Sequence, residues 1–235
     1  MNSFRFRTID AIIILILGEI VGAAFFAIAR VQGLDVVVAG LLQPQPEFEI
    51  SPQTISTVRL AFIPLFFLGV PIAAFVSLLA AFFVGRRFPV IPQVSKFIAV
   101  GVSNTAIDWG ILNLLLAPVA ASLFGITSLA QLSQLHRAVF KGISFLFATL
   151  NSYIWNKTWT FKSKEKKLGK EAIQFYLFTA IGLLINVAAF SIFQGFASEN
   201  KFWVGILAPG FATLLSAVWD FFSYKLIVFK PKQED

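Results

Sequence analysis

"KFIAVGVSNTAIDWGILNLLL", residues 96–116, decides how this chain is read. Its length is that of a helix crossing the hydrocarbon layer, which takes about 20 apolar residues at about 1.5 Å of rise each. Yet Asn104 and Asp108 sit inside it, and with Gly101 they follow an i, i+3, i+7 spacing that puts all three on one helical face. An ionised Asp at the centre of a lone membrane helix costs about 2.5–3.5 kcal/mol on insertion scales. Such a face is therefore expected to look at other helices or a wet cavity rather than at lipid.

The rest of the chain is of the same kind. Of 235 residues, 57% are hydrophobic and only 13% charged, and the mean hydropathy of +0.81 lies far from that of a soluble domain. Apolar runs near residues 9–29, 60–84, 97–117, 138–156, 173–196 and 202–222 predict an all-α membrane protein with six transmembrane helices. The first run follows "RFR" and has the flanks of a secretory signal. Glu19 interrupts it, it is too long, and no small-residue cleavage pattern ends it, so it is read as a helix. Cysteine is absent and His136 is the single histidine, which excludes a disulfide framework, a thiolate site and a His-built zinc centre; no cofactor is expected.

The net charge is +7. Its lysines and arginines gather at helix ends, where topology and anionic lipid account for them, so membrane lipid is an expected partner and nucleic acid is not. Arg5 and Arg7, then Arg86, Arg87 and Lys96, then Lys162, Lys164, Lys166, Lys167 and Lys170, then Lys225, Lys230 and Lys232 fall in alternate segments. The intervening loops carry Asp35, Glu47 and Glu49, then His136 and Arg137, then Glu199 and Lys201. By the positive-inside rule both termini are cytoplasmic in a multi-pass protein of the inner membrane. The prolines and acids of "LLQPQPEFEISPQTIS" make residues 31–57 an external loop, and "FPVIPQ" marks a second boundary. Residues 1–90 are thus read as a two-helix extension and residues 95–231 as a four-helix domain.

That domain reads as a duplication. Laying the third run on the fifth pairs Phe97 with Phe175 and Asp108 with Asn186; the ends of the fourth and sixth pair Lys157 with Lys225, Phe161 with Phe229 and Lys162 with Lys230. Two helices per copy give two parallel repeats. Every helix of the domain carries a small or polar face: Lys141, Ser144, Ala148, Asn151 and Trp155 on the fourth, Thr179, Gly182, Asn186 and Ala189 on the fifth, Ser216, Asp220 and Ser223 on the sixth. The plainer reading of these faces is helix packing, with interhelical hydrogen bonds of about 0.6 kcal/mol on average. Packing does not require charge, however, and Asp108 and Lys141 are of opposite sign, so they are expected to neutralise one another. In the extension, Glu19 between Gly18 and Gly22 is expected in a close helix contact that favours its protonated form. Asp10 is expected to be solvated, and Arg59 and Arg137 to snorkel to water.

"KFIAVGVSNTAIDWGILNLLL", the aromatic "NSYIWNKTWTF" and the closing "YKLIVFK" resemble the GtrA-like family of small four-helix membrane proteins, also called the dolichol-phosphate-mannose-synthase transmembrane type. The resemblance covers about residues 95–231. It implies a role in cell-surface polysaccharide synthesis, either translocating polyprenyl-phosphate-linked sugars or assisting the glycosyltransferase that makes them. The first two helices lie outside the pattern.

Trp155, Trp159 and Phe161 beside Lys157 and Lys162 have the composition of an interfacial anchor. Anchoring leaves Asn151 and Asn156, and the recurrence of Lys and Phe at residues 225 and 229, without a purpose. For a lipid-linked sugar, Lys157 and Lys225 would meet the phosphate as point charges, and the amides of Asn104, Asn151 and Asn156 the sugar hydroxyls. Asp108, Lys141, Asn186 and Asp220 complete the candidate substrate-binding set, with Asp108 or Glu19 as proton carrier. No nucleotide-binding or metalloprotease motif is present, and an enzyme is not expected. Two rivals remain: a scaffold that recruits a polyprenyl-phosphate glycosyltransferase through the basic loop 162–170, and a small-multidrug-resistance-like exporter. A second copy of the chain is among the candidate partners.

Overall fold

A computed structural model describes residues 6–42, 51–125, 131–165, 168–197 and 207–230. Among these every regular element is helical. Arg5, Glu47, Glu49, Lys166, Lys167, Glu199, Lys201 and Lys232, and the first residues of the run 202–222, lie outside the described residues.

The first apolar run forms α1, Thr8–Val31. Residues 31–57 are not one loop: after a turn at Gly33, whose φ of +65° suits a residue without Cβ, comes α2, Leu34–Leu42. The next helix then begins at Pro52. Ser51 caps it by accepting from the Thr54 amide at 3.2 Å, and proline is at home in a first turn where its missing N–H leaves nothing unpaired. This helix, α3 (Pro52–Pro64), passes through a π-helical turn at Leu65–Gly69 into α4, Val70–Val84. Pro64 and Pro71 bracket the wide turn, and the Val70 amide closes it on the Leu65 carbonyl. Proline breaks the i→i−4 ladder, and a π-turn is one way a long helix absorbs the break.

The same device recurs in the next span. Here α5, Ile91–Leu114, continues through a π-turn at Leu115–Val119 that contains Pro118, then α6, Ala120–Phe124, and ends at left-handed Gly125. Next come α7, Gln134–Trp155, with a π-turn at Asn156–Thr160; α8, Leu168–Phe193; and α9, Ala208–Ser223, with a π-turn at Tyr224–Val228. Among the described residues, five helical stretches are long and apolar enough to cross a membrane: Thr8–Val31, Pro52–Val84, Ile91–Phe124, Gly169–Phe193 and Gly210–Val228. Their outer surfaces carry large exposed side chains such as Leu60, Phe83 and Leu184, the composition of a lipid-facing wall. The protein is a multi-pass helical membrane protein. The fourth predicted run is the helix α7, long enough to span but with His136, Arg137, Lys141, Ser144 and Asn151 along it, which makes it less apolar than the other five.

The chain divides into two compact units, Met1–Ile154 and Trp155–Asp235. In the first, α1 packs against α4 and α5. Gly18 lies on Pro71 so closely that a Cβ would come within 2.6 Å of its Cα, and Gly22 lies on the Phe66 backbone. These are the close contacts that the small-residue spacing predicts. Glu19 does not share them: it is exposed on the other side of α1, because one residue of helix turns it about 100° from Gly18. Against α5, α1 runs parallel and in register, with Asp10 beside Lys96 at one level, Ala24 beside Gly110 the same number of residues further along each helix, and Gln32 bonded to Asn113 at 2.6 Å beyond. In the second unit α8 packs along α9.

Candidate functional site

In the first unit the polar faces of α5 and α7 meet. Lys141 donates to one carboxylate oxygen of Asp108 and the Ser144 hydroxyl to the other at 2.7 Å. About one turn back along α5 and two turns on along α7, Asn151 Nδ2 donates to Asn104 Oδ1 at 2.7 Å and reaches the Ser103 hydroxyl at 3.4 Å. Opposite charges cancel in a pair that would otherwise be costly among apolar helices. The pair is not sealed: the Lys141 side chain is 50% exposed and that of Asp108 17%. An ammonium with three donors, of which Asp108 uses one, can therefore meet a second acceptor. Gly101, on the same face of α5, is exposed with nothing near it, so it does not serve close packing.

The second unit holds another polar group. Lys157, in the π-turn after α7, donates to Glu171 in the first turn of α8 and to the Glu165 carbonyl at 3.2 Å, while Ser163 donates to the second oxygen of Glu171. Glu171 is 1% exposed. A carboxylate is favoured at a helix N-terminus by the helix dipole and here by a buried ammonium as well. Lys157 is thus an ion-paired residue rather than the free point charge expected from the sequence. Lys225 instead lies over the Phe221 ring at 5.5 Å.

Between α8 and α9, Asn186 Nδ2 reaches Ser216 Oγ at 3.3 Å, and the Thr179 hydroxyl meets the Tyr224 phenol at 2.6 Å. Gly182 leaves room for the Asp220 carboxyl, whose Cγ would be 3.0 Å from any Cβ placed there. The Asp220 Oδ1 atom is buried and has no hydrogen-bond partner among the described residues. Asn156 is buried in its π-turn, as is Trp159, which packs inside the protein and not as a headgroup anchor. The matched ends are alike in detail. Phe161 closes one π-turn on the Asn156 carbonyl at 2.9 Å, Phe229 closes the other on Tyr224 at 2.8 Å, and the two rings stack with centroids 5.4 Å apart.

Three charges near helix ends depart from expectation. Asp10 is not solvated but buried, held by Lys96 and by the Arg7 amide at 3.1 Å. Asp35 is buried too, taking Arg30 Nη1 at 2.8 Å and Arg59 Nε at 2.9 Å, so Arg59 pairs with an acid instead of only reaching for water. Burial works to raise the Asp35 carboxyl, but Arg59, the Val36 amide and Arg30 outweigh it and hold it below the ordinary range. Glu171 escaped the sequence reading because it stands among lysines in a segment counted as basic. Its signal was the lone acid at the start of an apolar run.

Of the candidate residues, then, Asn104, Asp108, Lys141 and Asn151 come together in one unit. Asn156, Lys157, Asn186, Asp220 and Lys225 lie in the other, where Lys157 meets Glu171, Lys225 the Phe221 ring, Asn186 Ser216, and Asp220 the space left by Gly182.

No solved structure matches the chain. A Bacillus subtilis (strain 168) protein, described as uncharacterized membrane protein YngA, is 35% identical over 102 residues, or 43% of this chain. The match spans about half, 54%, of that relative's length. The family model described as GtrA/DPMS, transmembrane domain, matches residues 96–229. That span begins at the lysine that anchors α5 to α1 and runs to the phenylalanine that closes the last π-turn; the chain belongs to the GtrA/DPMS transmembrane-domain family.

Proposed function

We propose that the protein moves a polyprenyl-phosphate-linked sugar across the cytoplasmic membrane in the making of cell-surface glycoconjugates. The observation that carries the proposal is the polar line of Asp108, Lys141, Ser144, Asn104 and Asn151 between two helices of a membrane protein of this family. A sugar needs paired donors and acceptors, which two amides supply, and a phosphate needs an exposed cation, which half-exposed Lys141 offers. In this reading the chain crosses the membrane six times, with both termini cytoplasmic and α5–α7 and α8–α9 as parallel repeats. It carries out no covalent chemistry, and the sugar is attached by a separate transferase.

The phosphate contact is assigned to Lys141, within the polar line of the first unit. In the second unit Lys225 is a separate candidate cation, and Lys157 becomes one only when Glu171 releases it. Without an ATP-binding motif, net movement follows mass action or an ion gradient.

The test is a flip assay with purified protein in liposomes that contain a polyprenyl-phosphate sugar, scored by a membrane-impermeant oxidant. Protein-dependent exposure that falls in Asp108→Asn and Asn151→Ala supports translocation. Exposure no greater than in empty liposomes, from protein that still captures a glycosyltransferase, replaces it with the scaffold reading.

A further inference from the structure

Outside the polar line, the first unit has a partly open cavity of about 430 Å³ between α1, α4 and α5, lined among others by Leu17, Gly18, Ala74, Ser77, Ser95 and Ala99. Its volume is that of a small-molecule site. Its walls are apolar apart from the two hydroxyls, and it lies within three membrane-spanning helices, so neither water nor a sugar has partners there. What fits is a hydrocarbon chain.

One end of the same three helices is strongly basic. Phe6 packs on Phe82 with ring centroids 5.3 Å apart, which brings the start of α1 level with the end of α4. That level holds Arg7 at the start of α1 and Arg86 and Arg87 in the turn that follows α4. The Arg7 side chain is 53% exposed, and Arg86 and Arg87 are exposed beside the Phe83 ring, 5.3 Å below Arg86. The nearby acid, Asp10, is matched by Lys96 and also lies 3.6 Å from Arg7 Nε, which leaves the two Nη groups of Arg7 to turn outward with Arg86 and Arg87. Ser95, in the cavity wall, adjoins Lys96 in sequence, so the cavity reaches towards this basic end.

We infer that α1, α4 and α5 form a site for a lipid whose phosphate headgroup carries a net negative charge, with one hydrocarbon chain in the cavity and the phosphate at Arg7, Arg86 and Arg87. The charge of the rim selects the headgroup: basic residues at a membrane surface attract anionic lipid, and each exposed guanidinium offers paired donors to phosphate oxygens. This site lies largely in the extension, apart from the polar line of α5 and α7, and it stands whether or not that line carries a sugar. It gives the extension a task of its own, holding an anionic lipid against the edge of the family domain.

The experiment is native mass spectrometry of the delipidated full chain titrated in parallel with a polyprenyl phosphate, phosphatidylglycerol and phosphatidylcholine. The wild type retains one anionic lipid at activations that strip phosphatidylcholine; which of the two anionic lipids survives longer identifies the natural source. Ala99→Phe and Ser77→Leu fill the cavity from different helices, so if one fails to fold the other still reports. Each lowers retention about tenfold, and Arg86→Ala with Arg87→Ala does so for the anionic lipids alone. Undiminished retention in a folded filled variant, or equal retention of phosphatidylcholine by the wild type, overturns the site.

Discussion

Phe161 and Phe229 lie face to face at an interplanar angle of 17°, each the first residue beyond a π-helical turn. Two stretches paired only by a weak sequence pattern thus end in the same backbone device and touch through the equivalent side chain. Phe229 is 1% exposed. Phe229→Ala is expected to destabilise by about 3–5 kcal/mol, the usual cost of emptying a buried ring site. Phe161→Ala, from a half-buried position, costs less. The double variant falls short of the sum by about 0.5–1.5 kcal/mol, the coupling of an aromatic pair. Detergent unfolding monitored by circular dichroism checks all three.

Asp108 and Lys141 give a charge-pair prediction with an asymmetry. Asp108→Asn leaves the Lys141 ammonium uncompensated among apolar helices, at a cost of up to about 2.5–3.5 kcal/mol, lessened because Lys141 is half exposed. Asp108→Asn together with Lys141→Gln removes both charges and restores most of that stability. Transport does not return with it, because the cation assigned to the phosphate is gone. Thermal melting and the flip assay on the same three preparations separate folding from function, and recovery of both in the double variant sinks the assignment.

How much of this was legible follows from where each residue had a choice of partner. Asn104, Asp108, Lys141 and Asn151 lie inside long apolar runs, where water is absent and the only available partners are other helices, so their periodicity was enough to place them face to face. Asp10 and Lys96 lie at helix ends, where water is the default partner. Their pairing follows from the parallel register of α1 and α5, which no local pattern encodes. The same holds for Asp35, whose two arginines come from different helices. Glycine spacing was a partial guide: Gly18 and Gly22 do meet another backbone, but Gly101 meets nothing, since small size permits close approach without compelling it.

Lys157 and Glu171 separate a structural role from a binding one. Each single loss strands a charge: Lys157→Met leaves the Glu171 carboxylate without its ammonium at 1% exposure, a cost of about 3–5 kcal/mol, and Glu171→Gln leaves the ammonium without its carboxylate. Replacing both with Met is close to neutral for folding by the same reasoning. If Lys157 serves only to neutralise Glu171, the double variant transports like the wild type. If it also takes the phosphate once Glu171 lets go, Glu171→Gln binds a short polyprenyl phosphate more tightly than the wild type and the double variant more weakly. Titration calorimetry on folded protein distinguishes these outcomes.

Asp35 supplies the pH dependence. Its carboxyl is held below the ordinary range by Arg59, Val36 and Arg30 against the opposing effect of burial. A group lowered in the folded state binds its proton more readily when unfolded, so its contribution to stability is complete above the unfolded value of about 3.9 and is lost as pH falls through the folded value. Asp35→Asn, which keeps the shape and removes the charge, should therefore melt below the wild type at pH 7. The difference should persist to about pH 5 and close progressively below about pH 4. Arg59→Gln tests the cause: by weakening the interaction it moves the acid midpoint back towards the ordinary carboxylate range. Tm measured from pH 3 to pH 7 on the three proteins reads this directly, and a Tm gap between wild type and Asp35→Asn that stays constant down to pH 3 would show that the two arginines do not hold the charge.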